Sequence, residues 1–292
     1  MVKRPLKVIG IGEILWDLLP EGKQLGGAPT NFAFHAHQLG LQSSIISSVG
    51  NDILGKEILE VIDNTDIISF IDKIERPTGT VSVQLDKNGI PKYIIHEDVA
   101  WDFISPSEKA LDFAKQSHAI CFGTLAQRSE TSYYSIQEIL SSVPVNALKV
   151  FDINMRQHFY NEEIILKSLE KANILKINED EILVFADMFN ISGDEFEIIH
   201  QIIRQYDLKI LALTKGAKGS WLVSDQEDSY LDTPNVPVKD TVGAGDSFTA
   251  ALVAGLLKGK PLKKIHQNAV DISAYVCTQK GATPNLPDHL IQ

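Results

Sequence analysis

The segment Asp240-Thr241-Val242-Gly243-Ala244-Gly245-Asp246-Ser247-Phe248 carries the residues for chemistry on an anion. Gly, Ala and Gly leave almost no side chains, so a phosphate can approach the backbone closely. An apolar helical run, Phe248–Leu257, follows. The N–H groups that open a helix have no internal partners and point at such a phosphate. The positive end of the helix dipole also favours developing negative charge. A carboxylate in that turn repels a resting phosphate, so Asp246 needs another task. Accepting a proton from a hydroxyl that attacks the phosphate is one. A plain glycine-rich turn with an N-terminal Asp explains this dense packing of small residues and acid less well.

Other polar residues stand directly after apolar runs, and in an open parallel sheet ligands bind beyond the carboxyl ends of the strands. Gly12, Glu13 and Asp17 follow Leu6–Ile11. Asp152, Asn154 and Arg156 follow Leu148–Phe151, spaced by two so that an extended chain points them to one side. Asn178-Glu179-Asp180-Glu181 follows Ile174–Ile177, and Thr214-Lys215-Gly216-Ala217-Lys218-Gly219 follows Ile210–Leu213. Asn178 with Glu181 also matches a capping box. One such site reads as a helix cap; four at strand ends point to a ligand. Gly26-Gly27-Ala28-Pro29-Thr30-Asn31 opens a further helix. Its glycines permit close backbone approach or hinge motion, and Asn31 suits sugar hydroxyls, although the stretch is also an ordinary turn. Two nucleotide motifs are missing. Leu15 stands where a dinucleotide fingerprint after Gly10 and Gly12 needs its third glycine, and Gly216–Ser220 lacks the order of a P-loop.

The elements that must position these residues follow from the hydrophobic pattern. Strands are predicted at Leu6–Ile11, Ser44–Val49, His118–Phe122, Leu148–Ile153, Ile174–Ile177 and Lys209–Leu213. Helices are predicted at Thr30–Leu39, Ser107–Gln116, Thr131–Ser142, Glu162–Lys171, Glu179–Phe189 and Glu195–Tyr206. Apolar strands alternating with helices indicate a parallel sheet covered on both faces, within one α/β domain spanning residues 1–292. Thr80–Asp86 and Lys92–His96 instead alternate around Asn88-Gly89, a hairpin signal. Their polar face puts that hairpin outside the main body, as decoration or as a flap over a ligand site.

With 38 acidic against 27 basic residues among 292, and a net charge of −11, the chain is unsuited to nucleic acid or anionic membrane. An anionic ligand must be held locally by amides, a metal ion or a few placed cations. Cys121 and Cys277 lie far apart in apolar stretches and read as reduced thiols, not a disulfide or zinc site. The apolar start is too short for a signal peptide and no run reaches the length of a membrane span, so a cytoplasmic location is expected.

Along essentially the whole chain these motifs resemble those of the PfkB, or ribokinase-like, carbohydrate kinases. Gly26–Asn31 and Asp240–Phe248 match its two signatures, with the Asn178-x-x-Glu181 and Thr214–Gly219 motifs between them in the expected order. Gly12–Asp17 followed by Leu25–Ala33 is most similar to bacterial fructokinases. The resemblance implies a three-layer αβα fold with a β-lid from segments about 13–26 and 77–102 that closes over the sugar. In some members that lid also makes a homodimer contact.

The implied reaction is ATP-dependent phosphorylation of a sugar's primary hydroxyl, D-fructose giving fructose 6-phosphate. Asp246 is then the base, and the amides of Gly243, Ala244, Gly245 and Asp246 form the anion hole. Asp17, Gly27, Asn31, Asn154 and Arg156 are expected to hold the sugar. Thr214, Gly216, Gly219, Gly243 and Gly245 line the nucleotide, with Asn268 near the adenine. Asn178 and Glu181 organise Mg2+ through water. Asp240, Val242 and Gly281 match positions that hold a monovalent cation, commonly K+, chiefly through backbone oxygens. A ribokinase is one alternative and a 2-keto-3-deoxygluconate kinase another, since Arg156 can pair with a carboxylate. A silent sugar- or nucleotide-binding regulator is a third, against which the retained Gly243, Gly245 and Asp246 argue.

Overall fold

The computed structural model describes residues 5–20, 22–85 and 91–291. Its strands are β1 (Lys7–Ile11), β2 (Leu15–Leu19), β3 (Gly22–Gly26), β4 (Gln42–Gly50), β5 (Ile68–Ile74), β6 (Thr80–Leu85), β7 (Pro91–Ile95), β8 (Ala119–Phe122), β9 (Leu148–Asp152), β10 (Ile174–Asn178), β11 (Ile210–Thr214), β12 (Ser220–Ser224) and β13 (Asp228–Leu231). Its helices are α1 (Ala28–Gln38), α2 (Ile53–Asp63), α3 (Glu108–Ala114), α4 (Glu130–Ser142), α5 (Glu162–Leu169), α6 (Glu179–Met188), α7 (Glu195–Gln205), α8 (Ala244–Leu257), α9 (Leu262–Cys277) and α10 (Asp288–Ile291).

Nine strands form one sheet in the order β13-β12-β11-β10-β9-β8-β1-β4-β5. It is parallel from β11 to β5, and β12 and β13 add an antiparallel edge. Successive residues of its central strands enter different cores, as the period of two requires. Val8, Cys121, Val150 and Ala212 pack with residues of α1, α8 and α9. Ile9, Ile120, Phe151 and Leu211 pack with residues of α3 to α7. The sheet is therefore covered on both faces, as its nearly continuous apolar strands imply.

The alternating segments make a second sheet, in the order β3-β2-β6-β7. β6 and β7 pair antiparallel, with Val81 opposite Ile95, while Asp86 and the Asn88-Gly89 turn lie outside the described residues. The predicted hairpin does not stand alone: β2 runs parallel to β6 and antiparallel to β3. Among the described residues no helix is long and apolar enough to cross a membrane.

A buried arginine is among the side chains that tie the small sheet to the body. Arg128, only 6% exposed at its side chain, grips both carboxylate oxygens of Asp102 at 2.8 and 2.9 Å. It also donates to the His96 carbonyl just past β7 at 2.6 Å, and its guanidinium lies over the Trp101 and Phe159 rings. Removing one partner of such a pair strands a buried charge. Arg128→Met is expected to lower unfolding free energy by about 3–5 kcal/mol in urea denaturation. A loss below about 1 kcal/mol would show that the anchor is not Arg128.

Candidate active site

The strand order reverses at β1, whose neighbours are β8 and β4, and ligands gather beyond the strand ends at such a switch point. Two helix starts meet there. At α8, Gly243 has φ +79° and a Cβ placed on it would lie 2.3 Å from the Ala282 carbonyl oxygen. Both the backbone conformation and the contact demand glycine. A Cβ on Gly245 would lie 2.9 Å from Lys176 Nζ, so a side chain there would have to push the ammonium aside. No side chain caps α8, and its first N–H groups lack acceptors within the helix, although the Ala244 N–H reaches the Thr241 carbonyl just before it at 3.3 Å.

Asp246 sits in that first turn and accepts a hydrogen bond from Asn31 Nδ2 at 2.8 Å. Burial pushes its carboxyl up to about 6, and Asp152 adds to the shift, against the hydrogen bond of Asn31 and the charges of Lys176 and Arg156. Asn31 belongs to α1, whose N-cap Gly27 has φ +111° and presses against the Glu13 carbonyl, 2.3 Å from where a Cβ would stand.

Glu13 is 2% exposed. Its Oε1 accepts from the Ala28 N–H at 3.1 Å, while Oε2 has no partner among the described residues. Burial, reinforced by Asp246, raises this carboxyl to about 7. Asp17 on β2 is raised to about 6 by burial and then by Asp240. Sequence reasoning marks Glu13 as a strand-end residue and assigns it no task; only burial distinguishes it.

Beyond β9, Asn154 holds φ +45° and Gln157 φ +51°, so the loop carrying Arg156 is bent at both sides. Thr124 Oγ1 donates to the Ile153 carbonyl at 2.8 Å and holds the start of this loop. Glu181 holds its middle: Oε1 accepts from the Met155 N–H at 2.9 Å. The same carboxylate's Oε2 accepts from the Asn178 N–H at 2.9 Å, and Asn178 Oδ1 accepts from the Asp180 and Glu181 amides. The capping box is thus formed, and both Glu181 oxygens already serve the backbone. Arg156 is exposed, and its charge offsets the raised carboxyls of Glu13, Glu181 and Asp246.

A cavity of about 560 Å³ adjoins the α8 turn, lined by Thr214, Gly216, Gly219, Gly245, Ser273 and Cys277 among others. Asn268 is not in its lining. The stripe Val270, Ser273, Ala274 and Cys277 of α9 faces the cavity, and at 3.6 residues per turn Asn268 falls on another face. Asp240 draws two segments together, with Oδ1 accepting from the Val242 N–H and Oδ2 from the Gly281 N–H, both at 3.1 Å. Among the described residues no three His, Cys, Asp or Glu side chains cluster as metal ligands.

One uncapped helix start, one carboxyl beside it and one adjacent cavity lie together at the strand ends of a ribokinase-like fold. A double-mutant fructokinase of Vibrio cholerae, crystallised with fructose, ADP and potassium ion, shares that fold with a TM-score of 0.80 at 21% identity over 98% of this chain and 97% of that one. Residues 21–289 match the pfkB family carbohydrate kinases, and the chain belongs to that family. The uncharacterized sugar kinase PH1459 of Pyrococcus horikoshii is 30% identical over 94% of this chain and 91% of its own. Its structure in complex with ATP has a TM-score of 0.80, covering 95% and 94% of the two chains. Fructokinase of Salmonella typhimurium is 28% identical over 96% of both chains.

Folding favours the protonated form of Glu13, so the stability it allows is present at acid pH and is lost as pH rises through about 7. Glu13→Gln keeps an acceptor for the Ala28 N–H and removes the charge. The variant is expected to unfold about 1–3 kcal/mol harder than the parent at pH 8 and to match it near pH 4.5. Equal stability at both pH values would show that Glu13 is not held protonated by burial.

Proposed function

We propose that this chain is an ATP-dependent sugar kinase that phosphorylates the primary hydroxyl of D-fructose. The observation that carries the reading is the half-buried Asp246 carboxyl at the uncapped start of α8, held by Asn31 beside a glycine-lined cavity. ATP in that cavity brings its phosphate chain to Gly243, Ala244, Gly245 and Asp246, whose amides neutralise the transferring phosphoryl group. Thr214, Gly216 and Gly219 leave its backbone open to the nucleotide, and the ATP complex of PH1459 supports this half of the reading.

The sugar lies on the other side of Asp246, with Asp17, Gly27, Asn31, Asn154 and Arg156 as its contacts. Its hydroxyl is a weak nucleophile in competition with water, so holding it in line supplies much of the rate, up to about 7–11 kcal/mol in model systems. The small sheet is the lid that excludes water, and Gln157 Nε2, donating to the Tyr93 carbonyl at 2.9 Å, joins it to the Arg156 loop. Proton transfer to Asp246 occurs late in a loose transition state, so an ordinary carboxylate suffices.

Glu181 fits a Mg2+ held through water, because each of its oxygens serves one amide and keeps a second lone pair, while Asn178 Oδ1 accepts from two amides and acts by fixing the Glu181 turn. That ion would neutralise phosphate charge. A K+ is assigned to the backbone oxygens of the turn that Asp240 ties together through the Val242 and Gly281 amides, a K+ being present in the Vibrio cholerae fructokinase complex. One observation favours a second acceptor: Arg156 is exposed and its guanidinium donates to its neighbour's carbonyl, Met155 O, at 3.2 Å, with no carboxylate paired to it among the described residues, so it is available to the carboxylate of 2-keto-3-deoxygluconate.

ADP release measured with fructose, ribose and 2-keto-3-deoxygluconate, in magnesium and potassium, is expected to give fructose the highest kcat/KM. Turnover no greater than the ATPase background with every sugar rules the reading out. Asp246→Asn is expected to cut kcat by roughly 10²-fold or more with ATP affinity retained. Because the base must be ionised, kcat/KM is expected to rise with pH through about 6 and then level.

A further inference from the structure

A charged pair lies directly beneath the catalytic turn, in a strand that is otherwise apolar. Lys176 stands between Leu175 and Ile177 on β10, and its Cα partner across the parallel ladder is Asp152 at the end of β9. Both point toward α8, the side that Val150 and Ile174 also face. Lys176 is 8% exposed and Asp152 4%, and Nζ lies 3.0 Å from Oδ1. Asp152 Oδ2 accepts from Thr249 Oγ1 at 2.9 Å, and that hydroxyl is also 3.0 Å from the Gly245 carbonyl oxygen one turn earlier. The ammonium fills the space a Gly245 side chain would need.

Well-packed apolar residues usually replace a buried ion pair at no loss of stability, so this one calls for a reason other than folding. We infer that Lys176 and Asp152 are positioning residues for the phosphoryl transfer, bracing the turn that carries Asp246 and setting the charge against which Asp246 takes up its proton. The inference rests on the reading of Asp246 as the base.

The groups around Asp246 make the effect directional. Asn31 meets it from α1, Glu13 from beyond β1 and Arg156 from the loop after β9; Cys121 of β8, buried and held well above the ordinary thiol range, stays neutral. Asp152 repels a charge on Asp246 and Lys176 attracts it. Burial works against the charge on Lys176, but Asp152, Glu181 and Asp246 together outweigh it and keep the ammonium charged.

The two ends of the pair therefore have opposite signatures in the pH profile. Asp152→Asn preserves shape and the Thr249 contact, and is expected to move the acidic limb of kcat/KM to lower pH by roughly half a unit or more. Lys176→Met is expected to move it to higher pH, and the D152N/K176M double variant to bring it back toward the parent. A purely structural pair changes melting temperature and rate but leaves the limb in place. Shifts of the same sign, or an unmoved limb in a folded Asp152→Asn enzyme, overturn the inference. If Lys176→Met does not fold, the Asp152→Asn arm decides. If the parent phosphorylates no sugar, it is the kinase reading that fails. A carboxyl-carbon NMR titration of Asp246, assigned with Asp246→Asn, then reads the same opposed shifts directly.

Discussion

The first turn of α8 is the constraint from which the rest of the site follows. A helix start leaves amides without acceptors, and here no side chain comes to cap them. Keeping that turn bare requires Gly243 in a left-handed conformation against Ala282, and Gly245 leaves its place to the Lys176 ammonium. Every neighbouring element is arranged around this small bare patch. β10 supplies the ammonium below, the Asp240 carboxylate fixes the approach of the chain, and α1 brings Asn31 to the carboxyl that follows.

Folding disfavours the charged form of the acids around the turn. Glu13, Asp17 and Asp246 are all pushed upward chiefly by burial, so each resists ionisation in the absence of a ligand. Such local conflict between stability and arrangement is expected where binding supplies the missing partners. Glu13 makes the point most plainly, with one oxygen serving a helix amide and the other serving nothing among the described residues.

Much of this was legible in the chain because it is local. The αβ alternation appears as apolar runs and amphipathic stretches, and the strand ends at Ile11, Asp152, Asn178 and Thr214 fall within two residues of where the pattern puts them. The glycine pair of α8 announces itself because small residues and an acid crowd one turn. Other features depend on partners far away in sequence. Nothing local marks β2 and β3 as companions of β6, since the pairing is across some sixty residues of chain. Lys176 reads as an interruption of an apolar strand until its register with Asp152 is known. Asn268 is excluded from the cavity by the rotation of α9, which packing against α8 sets and composition does not.

Helix α1 is fastened along one side. Asn31 holds Asp246, His35 Nε2 meets the Ala282 carbonyl at 2.9 Å, and Gln38 bonds both Pro284 and Leu286. These positions recur every three or four residues, so a single edge of one rod clasps the Asp246 carboxyl and the strip of chain that wedges Gly243 in place. Tilting that rod at its glycine end therefore cannot shift the Asn31–Asp246 contact alone; it must also loosen the wedge on Gly243, making the start of α1 and the first turn of α8 mechanically one.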